Sequence, residues 1–151
     1  MATIHAFIVE LAEYEKLAGE VVASVDDLRR SLFGRRRYAE VLIARVDGEP
    51  SGFALFYHSF STFLGRPGLY LEDLYVQPAA RGTGLGRALL ARLARLALER
   101  RCGRLEWSVL DWNEPAIGFY ARLGATAMDD WTVYRLTADP LRALAETDRS
   151  D

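Results

Sequence analysis

The chain has 151 residues, half of them apolar, a formal charge of −2 and one cysteine. That length suits one domain with a real core, and the charge gives no general pull toward nucleic acid or an anionic membrane. A lone thiol, Cys102, excludes an intrachain disulfide or a thiolate metal site.

His5 and His58 stand far apart without ligand-like neighbours, so no metal is expected. No signal-peptide pattern and no apolar run long enough to span a bilayer is present, which makes the cytoplasm the expected location. Lys16 is the only lysine among many arginines. Arg35-Arg36-Arg37 is the one basic cluster; it reads as a solvated helix end or loop, because three charges fall short of a nucleic-acid patch.

In chain order, residues 4–17 predict a helix, with Ile4, Phe7, Ile8, Leu11 and Leu17 at apolar positions. Ser24–Phe33 predicts a second, with Ser24 as N-cap and Asp26-Asp27 in the first turn. Val41–Val46 reads as a strand, Asp47-Gly48 as a hairpin turn, and Gly52–Ser59 as the next strand. After a Gly65–Gly68 loop, Leu69–Val76 forms the third strand, which Gln77-Pro78 stops. A long amphipathic helix follows, carrying Leu85, Leu89, Leu93, Leu96 and Ala97 at helical spacing. Arg104–Leu110 reads as a strand, Glu114–Leu123 as a short helix opening on Pro115, and Trp131–Leu136 as a strand that closes the sheet. Residues 1–140 thus make a single domain, and 141–151 a loosely held tail. A mixed sheet with helices on its faces is the expected architecture, of α/β class.

The most informative feature is Arg81-Gly82-Thr83-Gly84-Leu85-Gly86, between the third strand and the long helix. Its glycines let the backbone turn tightly and leave amide N–H groups uncovered at a helix N-terminus, where the dipole favours negative charge. A diphosphate is the natural guest. The spacing departs from the dinucleotide fingerprint, because the position three after Gly84 is Arg87, and the lysine and hydroxyl of an ATP-type loop are absent. A purely structural glycine turn is the alternative.

The loop is similar to the Q/R-x-x-G-x-G/A pyrophosphate loop of the GCN5-related N-acetyltransferases, which bind acetyl-coenzyme A. Within that superfamily the chain most resembles the diamine (spermidine/spermine) acetyltransferases and their thialysine acetyltransferase relatives. The likeness rests on Glu10–Glu15, Tyr70-Leu-Glu-Asp73, Arg81–Gly86, Trp112-Asn-Glu-Pro115, Phe119-Tyr120 and Gly124-Ala125, in the family's order from about residue 4 to residue 136. It implies a mostly antiparallel central sheet with helices on both faces. The family's N-terminal edge strand is missing here, because Ala2-Thr3-Ile4-His5 aligns with the first helix; either the natural protein lacks that strand or the start is truncated or misassigned. An exposed sheet edge is a known liability for association, and a homodimer is expected.

Acyl transfer from a thioester to an amine needs the donor held, the amine neutral, the developing oxyanion stabilised and the thiolate released. An alkylammonium with a pKa of about 10 has no lone pair at neutral pH, so a carboxylate or water chain must take its proton. Glu72 and Asp73 lie inside an otherwise apolar strand; strict alternation sends them to opposite faces, and a salt bridge or loop cap is the alternative use for each. The resemblance implies that Glu72 meets the substrate amine and serves in its deprotonation, with Asp73 an auxiliary. It implies that Tyr120 is the general acid for the departing thiolate; by composition alone Tyr120 reads as a core aromatic.

The same likeness puts the acetyl-CoA site on Leu74, Tyr75, Val76, Arg81, Gly82, Thr83, Gly84, Leu85, Gly86, Arg87, Asn113, Glu114, Pro115, Ala116 and Tyr120. Backbone groups of 74–76 would meet the acetyl-pantetheine arm, and Asn113 could also be an N-cap. Tyr14 and Glu15 would join Glu72 and Asp73 around a cationic acceptor; unplaced in a fold, Glu10, Glu13 and Glu15 read as a solvated helix face. A further family glutamate falls on Thr132, with Asp129 and Asp130 close by. The expected enzyme acetylates a small primary amine, diamine- or polyamine-like, by direct attack without an acyl-enzyme. The alternatives are an amino acid such as thialysine or lysine, with Arg135 for its carboxylate, and a non-catalytic CoA-binding module.

Overall fold

The computed structural model describes residues 1–148, which form two compact units, Met1–Leu110 and a second beginning at Asp111. The first unit holds α1 (Ala2–Tyr14), α2 (Val25–Phe33), β1 (Glu40–Val46), β2 (Glu49–Ser61), β3 (Arg66–Val76), α3 (Leu85–Glu99) and β4 (Leu105–Trp107). The sheet runs β1-β2-β3-β4; the first three strands pair antiparallel, and β4 joins β3 in parallel. This is the expected mixed, mostly antiparallel sheet. Among the described residues β1 stands at one edge of this sheet.

Local chemistry sets several of these boundaries. Ser24 and Asp27 form a reciprocal capping box: the Asp27 amide donates to Ser24 Oγ at 3.1 Å, and the Ser24 amide donates to Asp27 Oδ2 at 2.9 Å. Asp47 and Gly48 both take positive φ, 50° and 83°, which suits a two-residue hairpin turn to the strand twist. The second hairpin is tighter than expected: Ser61 pairs with Arg66, so β2 and β3 extend into what the sequence suggests is loop.

Alternation along β2 builds the core. Phe53 and Leu55 face α1 and α2, where they cluster with Ile4, Phe7, Leu11, Leu32 and Tyr75. The Phe7 ring lies 5.7 Å from that of Phe53 and 5.8 Å from that of Tyr75. α3 buries Leu89, Leu90, Leu93, Leu96 and Ala97 and packs against the sheet. At its C-terminal cap, Arg100 grips Glu40 of β1 with two hydrogen bonds of 2.6 and 2.8 Å, and that contact lowers the Glu40 pKa. The guanidinium also lies 5.9 Å from the Phe56 ring.

The second unit contains α4 (Glu114–Arg122) and α5 (Ala138–Ala145), and Asn113 is its one buried residue among those described. Two expectations need correction. Arg104–Leu110 yields only the three-residue β4, and Trp131–Leu136 is not a strand. Aromatic and β-branched residues give 131–136 strand propensity, but a strand exists only with a ladder partner, and none is found among the described residues. Part of the expected loose tail belongs to α5, which buries nothing; residues 149–151 lie outside the described residues. Among the described residues, no helix is long and apolar enough to cross a membrane.

Phe53 is fully buried (0% exposed) between two helices and the sheet. Phe53→Ala should lower the unfolding free energy by about 3–5 kcal/mol, read from urea denaturation. Val22→Ala, at a position 91% exposed, should change it by less than about 0.5 kcal/mol.

Candidate active site

The glycine turn leaves β3 through a short 3-10 turn at Pro78–Ala80 and enters α3. Gly82 and Gly84 have φ of 77° and 87°, a region other residues occupy only with strain, although a Cβ at either would meet nothing. Gly84 is the N-cap of α3 and supplies no side-chain cap. The first helical bond runs from the Ala88 N–H to the Gly84 carbonyl at 2.9 Å, so the amides of Leu85, Gly86 and Arg87 lie ahead of the ladder. Thr83 braces the turn by donating its hydroxyl to the Ala80 carbonyl at 2.6 Å. The turn from Arg81 to Gly84 is exposed, and its backbone suits an anion.

The strand leading into that turn is unusual in its pairing. β3 is paired on both sides only at Leu69, Tyr70 and Leu71. From Asp73 to Val76 the ladder continues on the β2 side alone among the described residues, because β4 stops at Trp107. Leu74, Tyr75 and Val76 therefore stand on a strand with one open edge that runs into a helix N-terminus. An extended ligand with its own amides could continue such an edge.

A bulge sits at the same place. Leu55 pairs with Asp73 and Phe56 with Leu71, which leaves Glu72 as the extra residue. This corrects the expectation of strict alternation: the two carboxylates feel each other, and the charge of Glu72 helps to raise the Asp73 pKa. Glu72 is exposed, and its carboxylate accepts a hydrogen bond from Tyr57, whose ring lies 5.3 Å from that of Tyr70. Burial and the Glu72 charge push the Tyr57 phenol up. Tyr70 Oη in turn lies 2.7 Å from Ser108 Oγ.

Asp73 is the most perturbed carboxylate here. Burial first, then the charges of Glu72 and Glu15, raise its pKa to about 6. Glu15, at the C-terminal cap of α1, is raised by burial. Tyr14 is partly exposed beside it, with the Arg81 guanidinium 5.0 Å from its ring centroid. Arg81 also lies 5.7 Å from the Tyr75 ring and donates from Nε to the Val76 carbonyl at 2.9 Å. Its side chain thus ties the glycine turn to α1 and β3. Tyr75 donates its hydroxyl to Glu10 Oε2 at 2.8 Å, and burial together with that bond pushes the phenol to about 12.

Tyr14, Glu15, Glu72 and Asp73 thus belong to one acidic, aromatic-edged cluster in the first unit. Reasoning from the sequence missed Tyr57, Tyr70 and Ser108, and it left Glu10 on a solvated face. Only the Tyr-Leu-Glu-Asp run hinted at Tyr70. Arg87 is exposed at the start of α3. In the second unit, Asn113 caps α4 by accepting from the Ala116 amide at 3.4 Å, with Glu114 and Pro115 in the first turn. Tyr120 lies half-buried on the same helix, its ring 5.6 Å from that of Phe119.

Cys102 is buried beyond the C-terminus of α3, beside a surface hollow of about 520 Å³ lined by Arg66, Pro67, Leu98 and Arg101. That hollow sits at the start of β3, whereas the glycine turn follows its end. Among the described residues, no group of three or more His, Cys, Asp or Glu could hold a metal ion.

An open strand edge, a glycine turn and an uncapped helix N-terminus define a protein that can seat an extended ligand with an anionic end. The sequence model of the Acetyltransferase (GNAT) family matches residues 6–125, and the chain belongs to that family. It is an acetyltransferase, and the enzymes of this family use acetyl-CoA. Thialysine N-epsilon-acetyltransferase of Bos taurus is 40% identical over 147 residues, covering 90% of this chain and 86% of its own length. Spermidine/spermine N(1)-acetyltransferase-like protein 1 of Homo sapiens is 32% identical over 148 residues, covering 91% of this chain and 21% of its own. A solved integron cassette protein from the mobile metagenome of V. cholerae superimposes with a TM-score of 0.80 at 29% identity, over 96% of this chain and 91% of the other.

Because the Asp73 pKa is raised from 3.8 to about 6, the folded state holds this proton more tightly than the unfolded chain. Stability therefore falls as pH rises from about 4 to about 6, and the cost of the buried charge is complete above that window. Asp73→Asn should be more stable than the parent at pH 8 by on the order of 2 kcal/mol. The difference should vanish near pH 3.5, measured by guanidinium denaturation at both pH values.

Proposed function

We propose that the protein transfers the acetyl group of acetyl-CoA to the primary amine of a small cationic acceptor, by direct attack with donor and acceptor bound together. The observation that carries this is the open edge of β3 at 72–76 running into the exposed Arg81–Gly84 turn and the uncapped start of α3. Amides of Leu85, Gly86 and Arg87 hold the diphosphate of CoA, with the turn residues Gly82, Thr83 and Gly84 shaping the seat. Backbone groups of Leu74, Tyr75 and Val76 hold the pantetheine arm, and one of their amides faces the thioester oxygen as negative charge develops there. The family likeness assigns Asn113, Glu114, Pro115 and Ala116 to donor binding as well.

The acceptor enters the cluster of Tyr14, Glu15, Glu72 and Asp73, whose crowded carboxylates favour a cation. Glu72 takes the ammonium proton directly or through water, which frees the lone pair for attack. Tyr120 donates its phenolic proton to the departing thiolate; a thiol of pKa about 8.5 leaves readily once a hydrogen bond supports it. Cys102 has no part in the reaction. The enzyme works as a cytoplasmic homodimer.

Two acceptor types fit the acidic cluster. Diamines and polyamines suit its several carboxylates and the likeness to the Homo sapiens protein. The 40% identity to the Bos taurus thialysine enzyme favours an amino acid with a terminal amine, its carboxylate met by Arg135. Thiol release from acetyl-CoA with a panel of diamines, polyamines, lysine and thialysine decides between them; silence on every amine, with CoA bound, would reject catalysis on this class. Tyr120→Phe should keep CoA affinity and lose at least about tenfold in kcat, and unchanged turnover would discard its acid role.

Gly84→Ala tests the diphosphate seat, because a Cβ at φ 87° is strained. CoA affinity by calorimetry should fall about tenfold or more, whereas Gly19→Ala, with nothing within 4 Å, should leave it unchanged.

A further inference from the structure

Tyr57, Tyr70 and Ser108 have no part in acetyl transfer as written above, yet they form an ordered set beside Glu72. Tyr57 of β2 pairs across the ladder with Tyr70 of β3, and their rings lie 5.3 Å apart at an interplanar angle of 32°. Tyr70 pairs in turn with Glu106 of β4. Two residues on, Ser108 Oγ lies 2.7 Å from Tyr70 Oη. The Tyr57 hydroxyl donates to the Glu72 carboxylate. Three adjacent stretches of chain thus converge on one acidic side chain.

Glu72 needs such support. It is the extra residue of the bulge, without a ladder partner among the described residues, and its side chain is exposed. A glutamate so placed has wide rotamer freedom. A general base must lie within hydrogen-bond reach of the proton it takes, and a displacement of about 1 Å can cost on the order of 100-fold in rate. A carboxylate accepts through two oxygens. With one of them bonded to the phenol, the other remains for the amine. Burial first, then the Glu72 charge, push the Tyr57 phenol up, so it stays a donor and does not compete for the ammonium proton.

We propose that Tyr57 is a positioning residue: its hydroxyl holds one oxygen of Glu72 and leaves the other free for the proton of the acceptor ammonium. Tyr70 and Ser108 keep the Tyr57 ring in place. The proton passes from the ammonium nitrogen to the free carboxylate oxygen, while Tyr57 keeps its own. The inference rests on the role of Glu72 proposed above and adds the group that orients it.

The test uses the full chain with thialysine or 1,4-diaminobutane as acceptor, thiol release for kcat and KM, and calorimetry for CoA affinity. Tyr57→Phe keeps the ring contact and removes only the hydroxyl. It should lower kcat about tenfold, leave the acceptor KM within about twofold and leave CoA affinity unchanged. Glu72→Gln is measured alone and combined with Tyr57→Phe. A group that acts through the carboxylate adds nothing once it is gone, so the double variant should match Glu72→Gln. Losses that multiply in the double variant would mark a merely structural tyrosine and overturn the inference, as would unchanged kcat in Tyr57→Phe. Parent-like turnover in Glu72→Gln, or none on either acceptor, removes the base role and the inference with it. Ser108→Ala serves if Tyr57→Phe folds poorly: a smaller loss of kcat, again masked by Glu72→Gln, is expected, and losses that multiply overturn the inference.

Discussion

Main-chain hydrogen bonding on the β4 side of β3 stops after Leu71, and the rest of the site depends on that interruption. Backbone amides and carbonyls are obligatory hydrogen-bonding groups, so an open stretch beside a core needs either water or a guest. Here the stretch ends in a helix whose first amides lack internal acceptors. The result is a continuous run of main-chain groups, strand edge first and helix terminus second. It matches a ligand that is amide-rich along its length and anionic at its end.

The acidic cluster answers to a different constraint. Burial first, and then the nearby charges of Glu72 and Glu15, raise the proton affinity of Asp73, an expense that an empty protein does not recover. A bound cation would recover it by Coulomb attraction at short range in a partly desolvated setting. Tyr57 fixes one member through its hydroxyl, and the Tyr70–Ser108 contact holds the neighbouring ring. The bulge at Glu72 makes the grouping feasible, because a regular strand would send adjacent carboxylates to opposite faces.

What the sequence makes legible follows the range of the interaction involved. The Ser24 cap, the Asp47-Gly48 turn and the glycine turn before α3 depend on residues within four positions, and each is readable from residue type. The pairing of Tyr75 with Glu10 spans 65 positions, and nothing in Glu10 distinguishes it from a solvated helix acid. A bulge has no residue signature here, so the proximity of Glu72 and Asp73 was hidden. Trp131–Leu136 shows the converse: its propensity for a strand is plain, yet no ladder partner stands beside it among the described residues. Asn113 as an N-cap is local and legible, whereas a chemical role for Tyr120 came only from family likeness.

α2 and α4 begin with side-chain caps, while α3, the longest helix described, begins on a bare glycine. A Ser or Asp in that place would gain only a few tenths of a kcal/mol over glycine as a cap, would be strained at a left-handed φ of 87°, and would put a side-chain oxygen where the proposed anion is seated. The fold therefore gives up almost nothing in heat resistance by entering its longest described helix on a bare residue. Screens for hardier variants have little to gain at this turn.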